Sequence, residues 1–382
     1  MSLIELLAKS EFALRTASSI MPPSLVVRAF TAGRNIFLPR FAQDVPAVSF
    51  VPPSDQGVTA WGLQFRFPLW NAAGMFKKGY GYDVVAAQGA GAFVAGTTTS
   101  RARAGNVVRG IAWPSTQYPN SHSASNWMGL PNEGHTAVAS RLSKVVKVPG
   151  CPLGASVSAE PGLDAAQAIP ELIEGMQRYA DAGVDYLELN ESCPNVPGHG
   201  GGHAALDEGL LSRLDAVAQS FLVKRTRTLP VVVKLSTDTS LDQLPALLSA
   251  LIERGFDGVI LGNTSTRYAE LREHVHHDDR KLYDYFTSTY GGGISGQLLR
   301  TSSLLSSATA VRAVQEINPS HEFNVIRCGG VMTADDVTAS MVEGVRLNQW
   351  YVGYFEGFAQ HGHKLYREMS ACIRPTRART ES

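Results

Sequence analysis

Eight short apolar runs between residues 69 and 353 constrain what this chain can fold into more than anything else in it. They occupy 69–75, 92–99, 153–158, 186–190, 231–235, 258–262, 324–328 and 347–353. Each is compact and lacks a polar alternation, the pattern of a parallel strand covered on both faces. Helical stripes lie between most of them. Leu163, Ala166, Ile169, Ile173, Met176 and Ala180 recur at helical spacing, as do Leu244, Leu247, Leu248, Leu251 and Ile252. Eight strand–helix units in roughly 300 residues have the size and rhythm of a (β/α)8 TIM barrel, an α/β fold. A doubly wound sheet usually has fewer strands, and no strand here is followed by GxGxxG.

Composition narrows the class. Of 382 residues 44% are hydrophobic and 18% charged, which excludes disorder. Lys+Arg and Asp+Glu are equal at 34 each, so no overall field recruits nucleic acid. The 4 cysteines, Cys151, Cys193, Cys328 and Cys372, lack metal-site or disulfide-framework spacing and fit a reducing compartment. No run reaches the ~18 apolar residues of a membrane span, and Met-Ser-Leu-Ile-Glu lacks the order of a signal peptide.

Residues 1–45 read as a separate helical extension, ahead of a barrel domain over 46–375. Leu3, Leu6, Leu7, Phe12 and Leu14, then Leu25, Val26, Val27 and Phe30, give two apolar faces broken by Pro22-Pro23. Lys9, Arg15, Arg28, Arg34 and Arg40 outnumber Glu5 and Glu11 over 1–43. A basic amphipathic pair suits the surface of an anionic membrane, as a peripheral contact through 1–43. The competing reading is a lid packed on the barrel.

A barrel places its phosphate site in the loops after strands seven and eight. Here those are Cys328-Gly329-Gly330 and Tyr351-Val352-Gly353, with the glycine-rich 291–296 upstream, ending in Ser295 and Gly296. Their backbone N–H groups point to a phosphorylated ligand. Lys234 ends an otherwise apolar strand and needs an electron-rich partner there, unless it snorkels to the rim. Lys77, just past the first strand, carries the same two readings. Cys193 stands in a loop between Asn190 and Asn195, ahead of a flexible glycine run. His199 and His203, and His274, His276 and His277 beside Asp278 and Asp279, read as solvated loop rather than metal sites; no metal is expected. GxSxG, Walker and HExxH motifs are missing, so acyl transfer, nucleotide hydrolysis and zinc-protease chemistry have no support.

Over roughly residues 60 to 370 these segments, in this order, resemble the dihydroorotate dehydrogenases, FMN-dependent barrel enzymes of pyrimidine synthesis. Asn71-Ala72-Ala73-Gly74 through Lys77 is similar to the first flavin-binding strand, and Gly96-Thr97-Thr98-Thr99 with Gly105-Asn106 to the second. Asn126 through Asn132 resembles a substrate loop, and Asn190-Glu191-Ser192-Cys193-Pro194-Asn195 the catalytic motif. The resemblance implies oxidation of dihydroorotate to orotate, the hydride passing to FMN N5 and Cys193 acting as base. It implies that Lys77, Asn126, Asn190, Asn195, Asn263 and Thr264 hold substrate. Ala73, Gly74, Lys77, Thr97, Ser156, Asn190, Lys234, Ser295, Gly296, Gly329, Gly330, Tyr351, Val352 and Gly353 would hold FMN.

The family has two branches. Soluble members use a cysteine base, as Cys193 would be; membrane-associated members use serine. Lys77, Gly96-Thr97 and the N-terminal extension resemble the membrane-associated branch, while Ser156 leans to the soluble one. Glu191 departs from both, and facing inward it would raise the Cys193 pKa. These features together favour quinone as acceptor, on the cytoplasmic side of a membrane or in the cytoplasm. Two alternatives stay open: another FMN barrel oxidoreductase acting on a dihydropyrimidine-like substrate, and a silent flavin-binding paralogue.

Overall fold

The computed structural model describes residues 1–192 and 207–373. All eight apolar runs form parallel strands of one sheet: β1 (Leu69–Asn71), β2 (Phe93–Thr98), β3 (Leu153–Val157), β4 (Tyr186–Asn190), β5 (Val231–Leu235), β6 (Gly258–Leu261), β7 (Asn324–Cys328) and β8 (Leu347–Trp350). Neighbours in sequence are neighbours in the sheet, and β8 returns to β1 with Gln349 opposite Trp70. The ring closes between β1 and β2 through a Phe76–Ala95 bridge and a 2.6 Å bond from Gly74 N–H to the Gly96 carbonyl. It is a (β/α)8 barrel.

Every residue of β2 to β6 is buried, as strands walled by helices outside and side chains inside require. The N-terminal mouth is plugged by a hairpin, Val58–Ala60 against Leu63–Phe65. Trp61 donates to the Asp257 carbonyl just before β6, and Phe65 stacks at 5.4 Å on Trp70 inside the barrel. That plug leaves only the C-terminal mouth for ligands.

Over the C-terminal mouth lies an antiparallel sheet of Ser115–Tyr118, Ser123–Asn126 and Gly293–Gly296. The glycine-rich 291–296, expected to offer its N–H groups to a ligand, is thus partly strand. The Ile294 N–H is committed to the Ser265 carbonyl at 2.9 Å, so only the end of the segment remains for a ligand.

The first residues form α1 (Leu3–Leu14), a 3-10 turn (Arg15–Ile20) and α2 (Pro23–Phe41), as the two apolar stripes and the Pro22-Pro23 break predict. Ser2 caps α1 in a capping box with Glu5. Phe41 is fully buried and meets Phe358 at 4.8 Å and Phe76 at 6.1 Å. Thr31 exchanges two 3.0 Å hydrogen bonds with the Ser115 backbone. The extension is thus fastened to the barrel and to the sheet across its mouth.

Candidate active site

A cleft at the C-terminal ends of the strands encloses about 900 Å³ out to its open mouth. Its walls bring together residues spread over 280 positions of sequence. From the top of β1 come Ala73, Gly74 and Lys77; from β2, Thr97; from β4, Asn190; from β5, Lys234; from the loop after β6, Asn263 and Thr264. Asn126 and Ser295 descend from the covering sheet, and Gly296, Gly329, Gly330, Tyr351, Val352 and Gly353 complete the far wall.

Strand β8 ends at Trp350, three residues before the end of its apolar run, because Val352–His361 is already helix (α3). The change matters chemically. The first N–H groups of a helix have no intrahelical partner, so Val352 and Gly353 present donors to the cleft. Gly330 has φ +66, and an added Cβ would lie 2.3 Å from the Arg300 Cα, so only glycine fits this turn.

On the opposite wall the polar side chains are wired together. Asn190 Nδ2 donates to Thr97 Oγ1 at 2.8 Å, and Thr97 Oγ1 lies 2.9 Å from Ser156 Oγ. Asn190 Oδ1 accepts from the Ser192 N–H and hydroxyl, and Asn263 Nδ2 donates to Ser192 Oγ at 2.9 Å. Ser156 is fully buried behind Thr97 and does not line the cleft, which corrects its expected direct contact with a ligand. Its hydroxyl acts on the wall through Thr97. The Thr264 hydroxyl is buried and has no partner among the described residues. A buried hydroxyl costs free energy unless it is bonded, so this one suits a ligand acceptor or donor.

Lys234 is only 2% exposed, so it does not snorkel to the rim. Its Nζ donates to Gln349 Oε1 at 3.1 Å, and Gln349 Nε2 donates to Glu188 Oε1. Burial raises the Glu188 carboxyl above the ordinary range, with Lys234 and Gln349 pulling it back less strongly. Glu188 Oε2 has no partner. The β4–β8–β5 chain therefore links a buried carboxyl, whose neutral form burial favours, to Lys234 on the cleft wall.

Glu191 turns away from the site. Arg213, on the helix Glu208–Val217, grips it in a fork at 2.8 and 3.0 Å. Burial opposes charge on Arg213, yet Glu191 more than offsets it and the guanidinium pKa rises. Glu191, paired in this way, is not among the residues lining the cleft. Cys193, Asn195, His199 and His203 lie outside the described residues. His276, His277 and Asp278 are exposed, whereas Asp279 is 2% exposed and binds Asn120 and Ser121, so it is not solvated loop.

A second, larger cavity adjoins the first. It encloses about 2040 Å³ out to its mouth, between α1, α2, α3 and the covering sheet. Its lining is mostly apolar: Leu3, Leu7, Val26, Phe30, Phe37, Phe355 and Phe358 are among it. Asn126, Met128, Ser295, Tyr351 and Val352 line both cavities. Arg34 on α2 reaches the Tyr351 hydroxyl at 2.6 Å. Sequence reading did not anticipate that Arg34 and Arg15 point inward instead of decorating an outer basic face. It also missed Val331 and Met332 on the cleft wall, apolar residues with no spacing signal.

The dihydroorotate dehydrogenase family model matches residues 56–373, the whole barrel. The chain belongs to the dihydroorotate dehydrogenase family. It is 28% identical over 335 residues to a dihydroorotate dehydrogenase (quinone) of Dichelobacter nodosus, covering 86% of this chain and 90% of that protein. A protein of the same description from Janthinobacterium is 28% identical over 352 residues, covering 90% and 94%. The crystal structure of an Eimeria tenella DHODH with ferulenol shares the fold, with a TM-score of 0.73, 19% identity and 89% of each chain covered. The family is one of oxidoreductases. Among the described residues no helix is long and apolar enough to cross a membrane.

Proposed function

We propose that this protein oxidises dihydroorotate to orotate with FMN as its cofactor, and passes the electrons to a quinone. One observation carries the reading: a polar cleft over the barrel and an apolar cavity outside it share the wall formed by Tyr351 and Val352. A planar two-electron carrier in the cleft would have a polar substrate on one side and an apolar acceptor within reach on the other. The quinone-dependent relatives, similar over 86% and 90% of this chain, support the same acceptor.

The cleft fits FMN by its own chemistry. Gly330 and the first turn of α3 offer backbone donors for a phosphate. The charge of Lys234 suits the electron-rich edge of an isoalloxazine, and the orphaned Thr264 hydroxyl awaits a partner. Bound there, FMN supplies the two-electron chemistry that side chains lack. The chain's own residues do the rest. Asn126, Asn190, Asn195 and Asn263 present amides to a planar ligand with carboxylate, carbonyl and N–H groups. Cys193 takes the C5 proton as thiolate; a free thiol, with pKa of about 8.5, is partly ionised near neutrality. Lys234 complements the negative charge transferred to the cleft. Exposed Leu6, Leu14, Ile20 and Leu25 on the extension support a peripheral contact with a bilayer, from which quinone would enter.

Anaerobic mixing with dihydroorotate, followed by separate addition of quinone, fumarate and NAD, tests this reading. The flavin should bleach with dihydroorotate and recover its colour with quinone. Cys193→Ala should slow bleaching about 10²-fold or more with FMN still bound. Release of no flavin on denaturation, or turnover with fumarate but not quinone, would refute the cofactor or the acceptor respectively.

A further inference from the structure

One wall of the apolar cavity is charged. Glu11, Arg15 and Glu356 line it beside Gln117. Glu356 stands one helical turn after Val352, the α3 residue common to both cavities. Its Oε1 lies 3.2 Å from Arg15 Nη1 and its Oε2 lies 2.9 Å from His122 Nδ1. Arg15 and Glu356 are 8% and 12% exposed, whereas His122 is 45% exposed. A hydrogen-bonded pair therefore runs from solvent to the cavity wall. His122 is well fixed: its carbonyl accepts from the Gln297 N–H at 3.0 Å, and its neighbour Ser121 is tied to Asp279 through N–H and hydroxyl, each at 2.7 Å.

We propose that His122 and Glu356 deliver the solvent proton that completes quinone reduction in the apolar cavity. The inference rests on the quinone reading above and adds a route that the reading lacks. A quinone needs two electrons and two protons to become a quinol. The hydride equivalent from C6 of dihydroorotate accounts for two electrons and one proton, while the C5 proton leaves separately on the substrate side. The second proton must reach the quinone oxygen from solvent, through a cavity whose other walls are largely apolar. His122 takes a proton at Nε2 and releases one from Nδ1 to Glu356 Oε2. The Glu356 O–H bond then breaks as the quinol O–H bond forms. Arg15 holds the carboxylate in place between turnovers.

The groups facing His122 are Glu356 on α3, Arg15 at the end of α1 and Asp279 in the turn His277–Asp279. The hydrogen bond to Glu356 raises the imidazole pKa above its ordinary value; burial and Arg15 oppose this. Glu11 faces Arg15 and Glu356 from α1. Burial against the cavity wall raises its carboxyl, Arg15 pulling the other way. It is a poorer conduit, since its nearest side-chain amide, Gln117 Nε2, stands 3.5 Å away.

The test uses the full flavin-loaded chain with a short-chain quinone, and with ferricyanide, which takes electrons without protons. Glu356→Gln should lower quinone kcat about 10²-fold, the low side of a lost general acid, with a much smaller effect on ferricyanide turnover. Glu356→Asp should recover part of the rate. Wild-type quinone turnover should fall as pH rises through the elevated His122 pKa, and His122→Asn should abolish that limb. Wild-type rates and pH profile in both Glu356→Gln and His122→Asn would overturn the relay. Equal losses with both acceptors would also overturn it, marking the pair as structural. A wild-type enzyme that reduces ferricyanide but no quinone would remove the acceptor reading itself, a distinct failure that takes the relay with it.

Discussion

Glu188→Gln isolates the protonation state of the acid buried inside the barrel. Glu188 is wholly buried, its Oε1 accepts from Gln349 and its Oε2 has no partner. An ionised carboxylate in that position would leave one oxygen desolvated and unbonded, which favours the neutral acid; burial raises the pKa, with Lys234 and Gln349 opposing it. The sign of the stability effect follows. A carboxyl whose folded pKa lies above its unfolded value, about 4.3, stabilises the fold fully below that value. The contribution is lost as pH rises through the folded pKa. Each unit of elevation corresponds to about 1.4 kcal/mol. Glutamine has the shape of the neutral acid and can still accept from Gln349, but it does not titrate. Wild type and variant should therefore be within about 1 kcal/mol of each other at pH 4, with the variant gaining steadily above it. Urea unfolding across pH 4 to 9, with FMN in saturating excess, reads the difference. Parallel stability curves would refute the argument. So would a variant destabilised by about 3 kcal/mol near neutrality, the scale of a broken buried ion pair, because that would mean an ionised Glu188 paired with Lys234.

Two further perturbations address other parts of the site. Thr264→Val removes a hydroxyl that has no partner among the described residues, so unliganded stability should hold or rise; affinity for substrate or FMN should fall about 5- to 15-fold, one lost hydrogen bond, measured by titration. Deleting residues 1–21 removes α1 and one wall of the apolar cavity but spares Phe41, so quinone turnover should drop far more than flavin reduction by dihydroorotate; equal losses in stopped-flow half-reactions would make α1 structural.

The barrel was legible because its strands are buried on both faces. Such strands appear as unbroken apolar runs, and all eight stood where those runs lie. The cleft was legible for a related reason: barrel ligands sit where the strands end, and Asn190, Lys234 and Gly330 are polar or glycine residues directly at such ends. Ser156 shows the limit of that logic. It also sits near a strand end, but its neighbour Thr97 stands between it and the cleft, a matter of side-chain direction that spacing does not encode. The covering sheet was missed because its strands are four residues each and carry Ser, Asn and Gly. Its order comes from pairing with distant segments. The inward turn of Arg15 and Arg34 was missed for the same reason: their partners, Glu356 and the Tyr351 hydroxyl, lie more than 300 residues away.

That inward turn changes how the extension should be understood. With five basic residues facing outward it would be chiefly an electrostatic foot on a membrane. With Arg15 salt-bridged to Glu356 and Arg34 bonded to Tyr351, two of those charges instead fix the extension against the wall of the flavin cleft. Leu6, Leu14 and Ile20 are exposed away from the cavity lining and on the proposed reading would meet a lipid surface, whereas Leu3, Leu7 and Phe37 line the cavity. One short helical segment therefore has an outer side suited to an apolar phase and an inner side that forms an apolar chamber ending at Tyr351. Asn190 and Asn263 stand on the other side of that residue, lining the cleft and not the chamber. On the function proposed above, a cysteine in place of serine would change how the C5 proton is removed and would leave the chamber untouched, so features of both branches are compatible in one chain. On that reading each governs its own half-reaction, and the two halves meet at the wall of Asn126, Met128, Ser295, Tyr351 and Val352, common to cleft and chamber.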